Sequence, residues 1–161
     1  MIGAGFIGQL AHLNNYVKVK DCSVVALAEH RPLLRQKVAK HYNIPRTYDS
    51  HHKLLDDPEI EAVVIVTPRQ YTAPIALDCL KAGLHVMTEK PMAGTLTQAE
   101  MLLDIAESKD LHYSVGYMKR YDEGVQRAKR ILDSLLNSEE LGQLLFARAH
   151  CYMGDSYCNP D

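Results

Sequence analysis

Three glycines near the start of the chain have the spacing of a phosphate-binding turn. Gly3, Gly5 and Gly8 form the pattern G-x-G-x-x-G, with Phe6 and Ile7 between the second and third glycines. In a dinucleotide-binding turn the first glycine allows a tight bend, the second lets the backbone approach a pyrophosphate, and the third lets helix and strand pack closely. The phosphates then lie on the free N–H groups of the following helix. The motif predicts that all five residues contact a dinucleotide.

An acidic residue stands where such sites hold the adenine ribose. Glu29 follows Gly8 by 21 residues, close to the ~20 expected for a carboxylate that accepts from the ribose 2′-hydroxyl. A carboxylate also repels a 2′-phosphate, which favours NAD. Arg31 works in the opposite direction, because a nearby arginine accommodates that phosphate. We expect NAD, with NADP as the alternative; the other interpretation of Arg31 is a solvent-exposed residue at a helix start.

Alternating strands and helices must position these residues. Apolar runs predict strands at 23–28, 62–66, 84–88 and 111–115, with a short strand at 46–48. Helices are predicted at 9–17, 33–42, 50–55, 71–81 and, behind a capping box at 97–100, up to about 108. This alternation predicts an α/β fold, a Rossmann-type doubly wound parallel sheet with helices on both faces.

The predicted sheet collects chemically useful residues at one edge, because ligands of such sheets bind outside the carboxyl ends of the strands. The segments at those ends are 3–8, 29–31, 67–71, 89–91 and 116–120. Only Met1 and Ile2 precede Gly3, so we expect the first, central strand to be truncated and the glycine turn to be poorly supported.

Composition excludes several functional classes. The 161 residues carry a formal net charge of −2 and no basic stripe, which argues against nucleic acid as a partner. No apolar run approaches the ~20 residues needed to span a bilayer, and no secretion signal is found. The four scattered cysteines predict reduced thiols in a cytoplasmic protein. His51 and His52 are adjacent and point in different directions, so we expect no metal site.

The pattern changes near residue 120. Apolar residues from Val125 to Leu136 predict an amphipathic helix, and strict alternation over Leu145–Met153 predicts one strand of an antiparallel sheet. We therefore expect a dinucleotide-binding domain at 1–119 and, at 120–161, the incomplete start of an α+β domain with an open antiparallel sheet. A single strand cannot form a stable sheet, so the complete protein is expected to be about twice as long.

Several motifs together resemble a known family. The glycine turn, Val64–Pro68, Gly83–Val86, Thr88–Pro91 with its E-K-P sequence, and Val115–Asp122 resemble the glucose–fructose oxidoreductase and inositol dehydrogenase family (Gfo/Idh/MocA). The resemblance implies an NAD(P)-dependent oxidoreductase that acts on a secondary alcohol or ketone of a sugar, cyclitol or related polyol. It also implies an antiparallel sheet used in oligomer contacts, and so a homo-oligomer in the complete protein.

The resemblance also assigns roles to residues. It places Gly3, Gly5 and Gly8 at the pyrophosphate and Glu29 at the adenosine ribose. It places Thr67 and Pro68 at the nicotinamide side, Glu89 among the cofactor contacts, and Lys90 at both the cofactor and the reacting hydroxyl or carbonyl group. Two departures stand out: Arg69 and Thr72 occupy positions where members often have Asn and His, and the family's catalytic Asp/His pair is expected beyond residue 161.

Competing interpretations remain for the other candidates. Lys90 is a catalytic lysine or a solvated loop residue. Tyr117 and Arg120 contact substrate, or Arg120 pairs with Asp122 or Glu123 and only fastens the domain junction. The alternative to an enzyme is a non-catalytic dinucleotide-binding sensor or scaffold. As an enzyme, the 161-residue chain is expected to show no turnover by itself.

Overall fold

Five short strands form one parallel sheet. The structure is a computed structural model that describes residues 1–138 and 142–150. The chain divides into two units, Met1–Tyr117 and Met118–Asp161. The first unit contains the strands β1 (Ala26–Ala28), β2 (Arg46–Tyr48), β3 (Ala62–Ile65), β4 (His85–Thr88) and β5 (Tyr113–Val115). Parallel pairs join β1 to β2, β3 to β4 and β4 to β5.

The N-terminal residues complete the sheet by lying between β1 and β3. Ile2 forms parallel bridges with Ala28 on one side and Ile65 on the other. Its N–H donates to the Val64 carbonyl at 2.8 Å, and the Gly3 N–H donates to the Ala28 carbonyl at 2.8 Å. The order across the sheet is therefore β2, β1, Ile2, β3, β4, β5. The predicted Rossmann-type sheet is confirmed, with its first strand reduced to this short central segment.

Helices cover both faces of the sheet. Leu27 packs with Ala4, Leu13 and the helical residue Val38 in one apolar cluster, whereas its neighbours in β1 belong to a larger cluster on the opposite face. Burial on both faces explains why β1 is a continuous apolar run rather than an alternating one. The helices of this unit are α1 (Asn14–Tyr16), α2 (Pro32–Tyr42), α3 (His51–Leu55), α4 (Arg69–Lys81) and α5 (Leu96–Ser108), with a π-helix at Gly8–Leu13 directly before α1.

Two helices begin at a residue whose side-chain hydroxyl caps the first turn. Ser50 caps α3 by accepting from the Lys53 N–H. Thr95 caps α5 by accepting from the Gln98 N–H, so the predicted capping box at 97–100 is wrong by two residues. The sequence Thr95–Gln98 satisfies the same pattern, with a hydroxyl at the cap and a glutamine three residues later.

The helix after the glycines also differs from its prediction. Leu10 and Val17, which belong to the apolar stripe of the helix predicted at 9–17, are 57% and 43% exposed, whereas His12 and Leu13 are 7% and 0% exposed. The cause is the π-helical winding over Gly8–Leu13. Its i to i+5 hydrogen bonds turn the chain less per residue than an α-helix does, so the buried stripe shifts.

The strand predicted at 23–28 is shorter than expected. Only Ala26–Ala28 is β-structure. On one side, the Met1 nitrogen donates to the Ala26 carbonyl at 2.9 Å. On the other side Pro45 precedes β2 and has no N–H to donate. A cavity of about 580 Å³ lies at this amino-terminal edge, opposite the predicted ligand edge.

The second unit contains a 3₁₀ turn at Met118–Tyr121 and α6 (Glu123–Ser138). Asp122 caps α6 by accepting from the Gly124 N–H at 3.0 Å. The strand predicted at 145–153 is not formed over residues 145–150, and 151–153 lie outside the described residues. The physical reason is that none of the residues described in this unit offers a strand to pair with. In the ranges that the structure covers, no helix has the length and apolarity to cross a bilayer.

Two glycines provide a test of the central turn. Gly3 and Gly83 have nearly equal φ angles of +87° and +86°, but only at Gly3 would a Cβ collide, 2.2 Å from the Val66 carbonyl oxygen. We expect Gly83→Ala to cost about 1–2 kcal/mol of unfolding free energy, the strain of a left-handed alanine. Gly3→Ala should cost clearly more in urea unfolding. Equal costs would show that the backbone at Val66 yields without penalty.

Candidate functional site

The carboxyl ends of the strands bring the predicted site residues to one edge. The Glu89 N–H donates to the Ile65 carbonyl at 3.1 Å, and the Gly116 N–H donates to the Thr88 carbonyl at 2.8 Å. These bonds continue the sheet beyond β3, β4 and β5. The glycine turn follows Ile2 at the same edge, between the ends of β1 and β3.

The three glycines of the turn have different surroundings. Gly3 is held against the Val66 carbonyl, and a Cβ on Gly8 would lie 3.0 Å from the Gly3 carbonyl oxygen. A Cβ on Gly5 would meet no atom within 4 Å. The first and third glycines are thus required by the protein's own packing. The second leaves open space beside the backbone, which fits the close approach of a pyrophosphate.

The helix start behind the turn is accessible. Phe6 is 75% and Ile7 40% exposed, and the first hydrogen bond of the helix runs from the Gln9 N–H to the Gly5 carbonyl at 3.0 Å. The N–H groups of a first helical turn have no partner within the helix. They are therefore available to an anion beside Gly5.

Glu29 ties the glycine turn to the end of β1. Its side chain is 2% exposed, and Oε2 accepts from the Ala4 N–H at 3.0 Å. Arg31 donates to both carboxylate oxygens at 2.9 Å. Burial by itself would raise the pKa of Glu29, but the hydrogen bonds from Arg31 and Ala4, together with the charge of Arg31, lower it to about 2.

Two arginines contact Glu29, one at its carboxylate and one at its main-chain carbonyl. The Arg31 side chain is 53% exposed, so its guanidinium pairs with Glu29 while it still faces solvent. Arg35, which sequence analysis did not select, donates to the Glu29 carbonyl at 2.7 Å. It lies on α2, four residues after Arg31, where helical spacing brings two side chains to the same face.

Thr67 and Pro68 lie between β3 and α4. Thr67 Oγ1 lies 3.3 Å from Thr72 Oγ1, and Thr72 is 4% exposed. The threonine that departs from the family pattern therefore contacts the loop from within α4. Pro68 precedes the first residue of this helix, and both Pro68 and Arg69 are exposed.

Glu89 and Lys90 follow β4. The Glu89 side chain is 21% exposed, and its Oε1 lies 2.9 Å from Nε2 of His12, whose side chain is 9% exposed. Glu89 Oε2 accepts from the Lys90 N–H at 3.2 Å. The Lys90 side chain is exposed. Sequence analysis missed His12; the available signal was a histidine four residues after Gly8, within a helix predicted to pack on the sheet.

The predicted substrate residues fall on both sides of the unit boundary. Tyr117 is the last residue of the first unit, and its side chain is 45% exposed. Arg120 belongs to the 3₁₀ turn of the second unit. Asp122 pairs with Lys119 at 2.9 Å, so it is not the partner of Arg120 that one sequence interpretation proposed.

Away from this edge, His51 and His52 lie closer together than their adjacency suggested. Their ring centroids are 3.9 Å apart, and their nitrogens lie with an Asp78 carboxylate oxygen inside a 4.8 Å cluster. His51 Nε2 is 2.9 Å from Asp78 Oδ2. This hydrogen bond between α3 and α4 is sufficient to account for the position of both groups.

Comparison with known proteins agrees with this geometry. The family model described as an oxidoreductase family with an NAD-binding Rossmann fold matches residues 1–117. The chain is 31% identical over 156 residues to the inositol 2-dehydrogenase of Salmonella typhimurium (strain LT2), which covers 94% of this chain and 45% of that protein. It is 27% identical over 169 residues to the levoglucosan dehydrogenase of Pseudarthrobacter phenanthrenivorans, covering 100% of this chain and 42% of that protein.

A solved structure shows the same fold. The crystal structure of myo-inositol 2-dehydrogenase from Lactobacillus plantarum aligns with a TM-score of 0.76 at 25% identity, over 83% of this chain and 40% of that one. The chain thus spans less than half the length of the relatives it matches. With a family model that covers residues 1–117 and a relative at 31% identity, the chain belongs to the Gfo/Idh/MocA family of oxidoreductases, which have an NAD-binding Rossmann fold.

Proposed function

We propose that this chain binds NAD and forms the cofactor side of an oxidoreductase that acts on a secondary hydroxyl group of a cyclitol, sugar or related polyol. The observation that carries the proposal is the open space at Gly5, flanked by Glu29 at the end of β1 and by the Glu89–Lys90 segment at the end of β4. The polyol class is proposed from the names of the relatives, which are inositol and levoglucosan dehydrogenases.

The sheet order supports the orientation of the dinucleotide. Glu29 lies on the β1 side of the glycine turn, whereas Thr67, Pro68 and Glu89 lie on the β3 and β4 side. Gly3, Gly5, Phe6, Ile7 and Gly8 would hold the pyrophosphate between them. The adenosine ribose would then lie near Glu29, and the nicotinamide would lie near Thr67 and Lys90.

Glu29 and Arg31 together would determine the choice of cofactor. The carboxylate is an acceptor for a ribose 2′-hydroxyl, and its low pKa of about 2 keeps it negative and repulsive toward a 2′-phosphate. Arg31 is already paired with it, so a 2′-phosphate would have to compete with Glu29 for this guanidinium. These contacts favour NAD over NADP.

Lys90 is the proposed catalytic residue. When bound, the nicotinamide ring supplies the acceptor for the hydride that leaves the carbinol carbon. The ammonium group of Lys90 would donate a hydrogen bond to the substrate oxygen and stabilise the charge that develops there as its proton leaves. No carboxylate of the described residues holds this ammonium in an ion pair. Tyr117 and Arg120 are the proposed substrate contacts.

The surroundings of the described cysteines agree with a reducing, cytoplasmic location, which is proposed here. Cys22 and Cys79 are free thiols, and burial raises the pKa of Cys79 to about 12, so this thiol is unreactive.

We also propose a homo-oligomer for the whole protein, because Leu145 and Phe146 are 92% and 72% exposed and would be covered in an assembly. Nothing in the site or the relatives favours the sensor or scaffold alternative.

Gly5 provides the direct test of cofactor binding. Gly5→Ala adds a methyl group to the proposed pyrophosphate position without meeting any protein atom within 4 Å. We expect NADH affinity, measured by fluorescence titration, to fall at least about tenfold with no change in melting temperature. Gly94→Ala, in an exposed loop, is the control and should change neither. Absence of saturable NADH binding to the wild type would overturn the proposed function.

Cofactor choice is tested at Glu29. Glu29→Ala removes the ribose acceptor and frees Arg31, so NADH affinity should fall while NADPH affinity rises, shifting the ratio of the two dissociation constants at least about tenfold. Glu29→Ala combined with Arg31→Ala should lose the gain in NADPH affinity. A NADPH affinity that rises equally in the double variant would show that Arg31 does not hold the phosphate.

A substitution at Lys90 distinguishes an effect on turnover from an effect on cofactor binding. In the whole protein, Lys90→Met should lower the rate of NAD reduction with myo-inositol by about 10² or more. NADH affinity should change by less than about threefold, because the cofactor keeps its other contacts. Lys53→Met, at an exposed lysine on α3 that pairs with Asp49, is the control. A Lys90→Met enzyme with undiminished turnover would remove Lys90 from the mechanism.

A further inference from the structure

A buried histidine links the glycine turn to the proposed catalytic loop. His12 is 7% exposed, and its Nε2 lies 2.9 Å from Glu89 Oε1. A carboxylate can only accept, so the imidazole N–H donates in this pair. The bond connects the helix that follows Gly8 with the carboxyl end of β4, which are separated by 77 positions in the chain.

The π-helix places His12 in this position. The segment Gly8–Leu13 winds as a π-helix, which buries the neighbours His12 and Leu13 together. One turn later the Tyr16 ring stacks beside His12, with centroids 6.1 Å apart, and its hydroxyl donates to Met87 Sδ at 2.8 Å. Met87 and Glu89 are two residues apart and so face the same side of the strand. The helix is thus attached to β4 at two points.

The Glu89 carboxylate contacts both His12 and the backbone of Lys90. Its Oε1 is held by His12, and its Oε2 accepts from the Lys90 N–H at 3.2 Å. A Cβ on Gly116 would lie 3.5 Å from Oε1, so the backbone that follows β5 also lies beside the Glu89 carboxylate. A carboxylate that is 21% exposed is largely withdrawn from water and requires such donors. Its position is therefore set by His12 and the backbone of Lys90.

We propose that His12 is a positioning residue that acts through Glu89 to fix the backbone of Lys90 relative to the glycine turn. His12 contacts neither substrate nor cofactor; it sets the spacing between the pyrophosphate position and the nicotinamide side. This inference rests on the proposed function. Because Glu89 lies on the β4 side of the turn and Glu29 on the β1 side, loss of the His12 contact weakens binding of the nicotinamide half and spares the adenosine half.

The test compares NADH with ADP-ribose, which lacks the nicotinamide. His12→Met introduces an apolar side chain of similar size and removes the donor, whereas His12→Gln keeps an N–H at a similar reach. We expect His12→Met to weaken NADH binding about tenfold and ADP-ribose binding less than threefold. The reason is that the lost hydrogen bond, from His12 to the Glu89 carboxylate, lies on the nicotinamide side of the glycine turn. His12→Gln should restore NADH affinity to within about threefold of the wild type.

A second histidine–carboxylate pair supplies the matched control. His51 lies 2.9 Å from Asp78, the same distance as in the His12 pair, but it joins α3 to α4. His51→Met should lower the melting temperature while it leaves both nucleotide affinities unchanged. In amide NMR spectra, His12→Met should shift the Lys90 and Gly116 signals, and His51→Met should not.

Each outcome decides between defined possibilities. Equal losses for NADH and ADP-ribose in His12→Met would place the effect at the glycine turn and overturn the proposal, as would unchanged NADH affinity in a folded variant. If His12→Met does not fold, His12→Asn, whose shorter amide does not reach Glu89, takes its place with the same expected pattern. Failure of the wild type to bind either nucleotide would instead refute the proposed function.

Discussion

The site depends on the backbone pairing of the first three residues between β1 and β3. Five hydrogen bonds of 2.8–2.9 Å join Met1, Ile2 and Gly3 to the two neighbouring strands. They carry the chain into the centre of the sheet, so that the turn at Gly3 emerges between the ends of β1 and β3. Without this pairing the sheet would be two separate parts, β1 with β2 and β3 with β4 and β5. The glycine turn would then have no fixed neighbours.

Two carboxylates flank the turn and are satisfied in the same manner. Glu29 accepts from the Ala4 N–H and from Arg31, and Glu89 accepts from the Lys90 N–H and from His12. Glu29 has two backbone donors, Ala4 and Arg31, and Glu89 has one. Each carboxylate also has one basic side chain as a donor, which offsets its desolvation. One pair links the turn to β1, and the other links the helix behind the turn to β4.

The fold was largely predictable from the sequence, whereas the finer geometry of the site was not. Apolar runs and Gly83 mark strands and helix ends through local chemistry, so the parallel sheet and its ligand edge could be predicted. The role of His12 depends on a π-helix and on a residue 77 positions away, and neither leaves a local pattern. The strand at 145–150 failed for the opposite reason: its alternation is clear, but β-structure requires a partner strand.

The pairing of Glu29 has a consequence for kinetics. Its pKa of about 2 lies below the pH at which most folded proteins are studied, so this carboxylate remains ionised throughout a usual pH–rate profile. An acidic limb in such a profile would therefore report on groups other than Glu29.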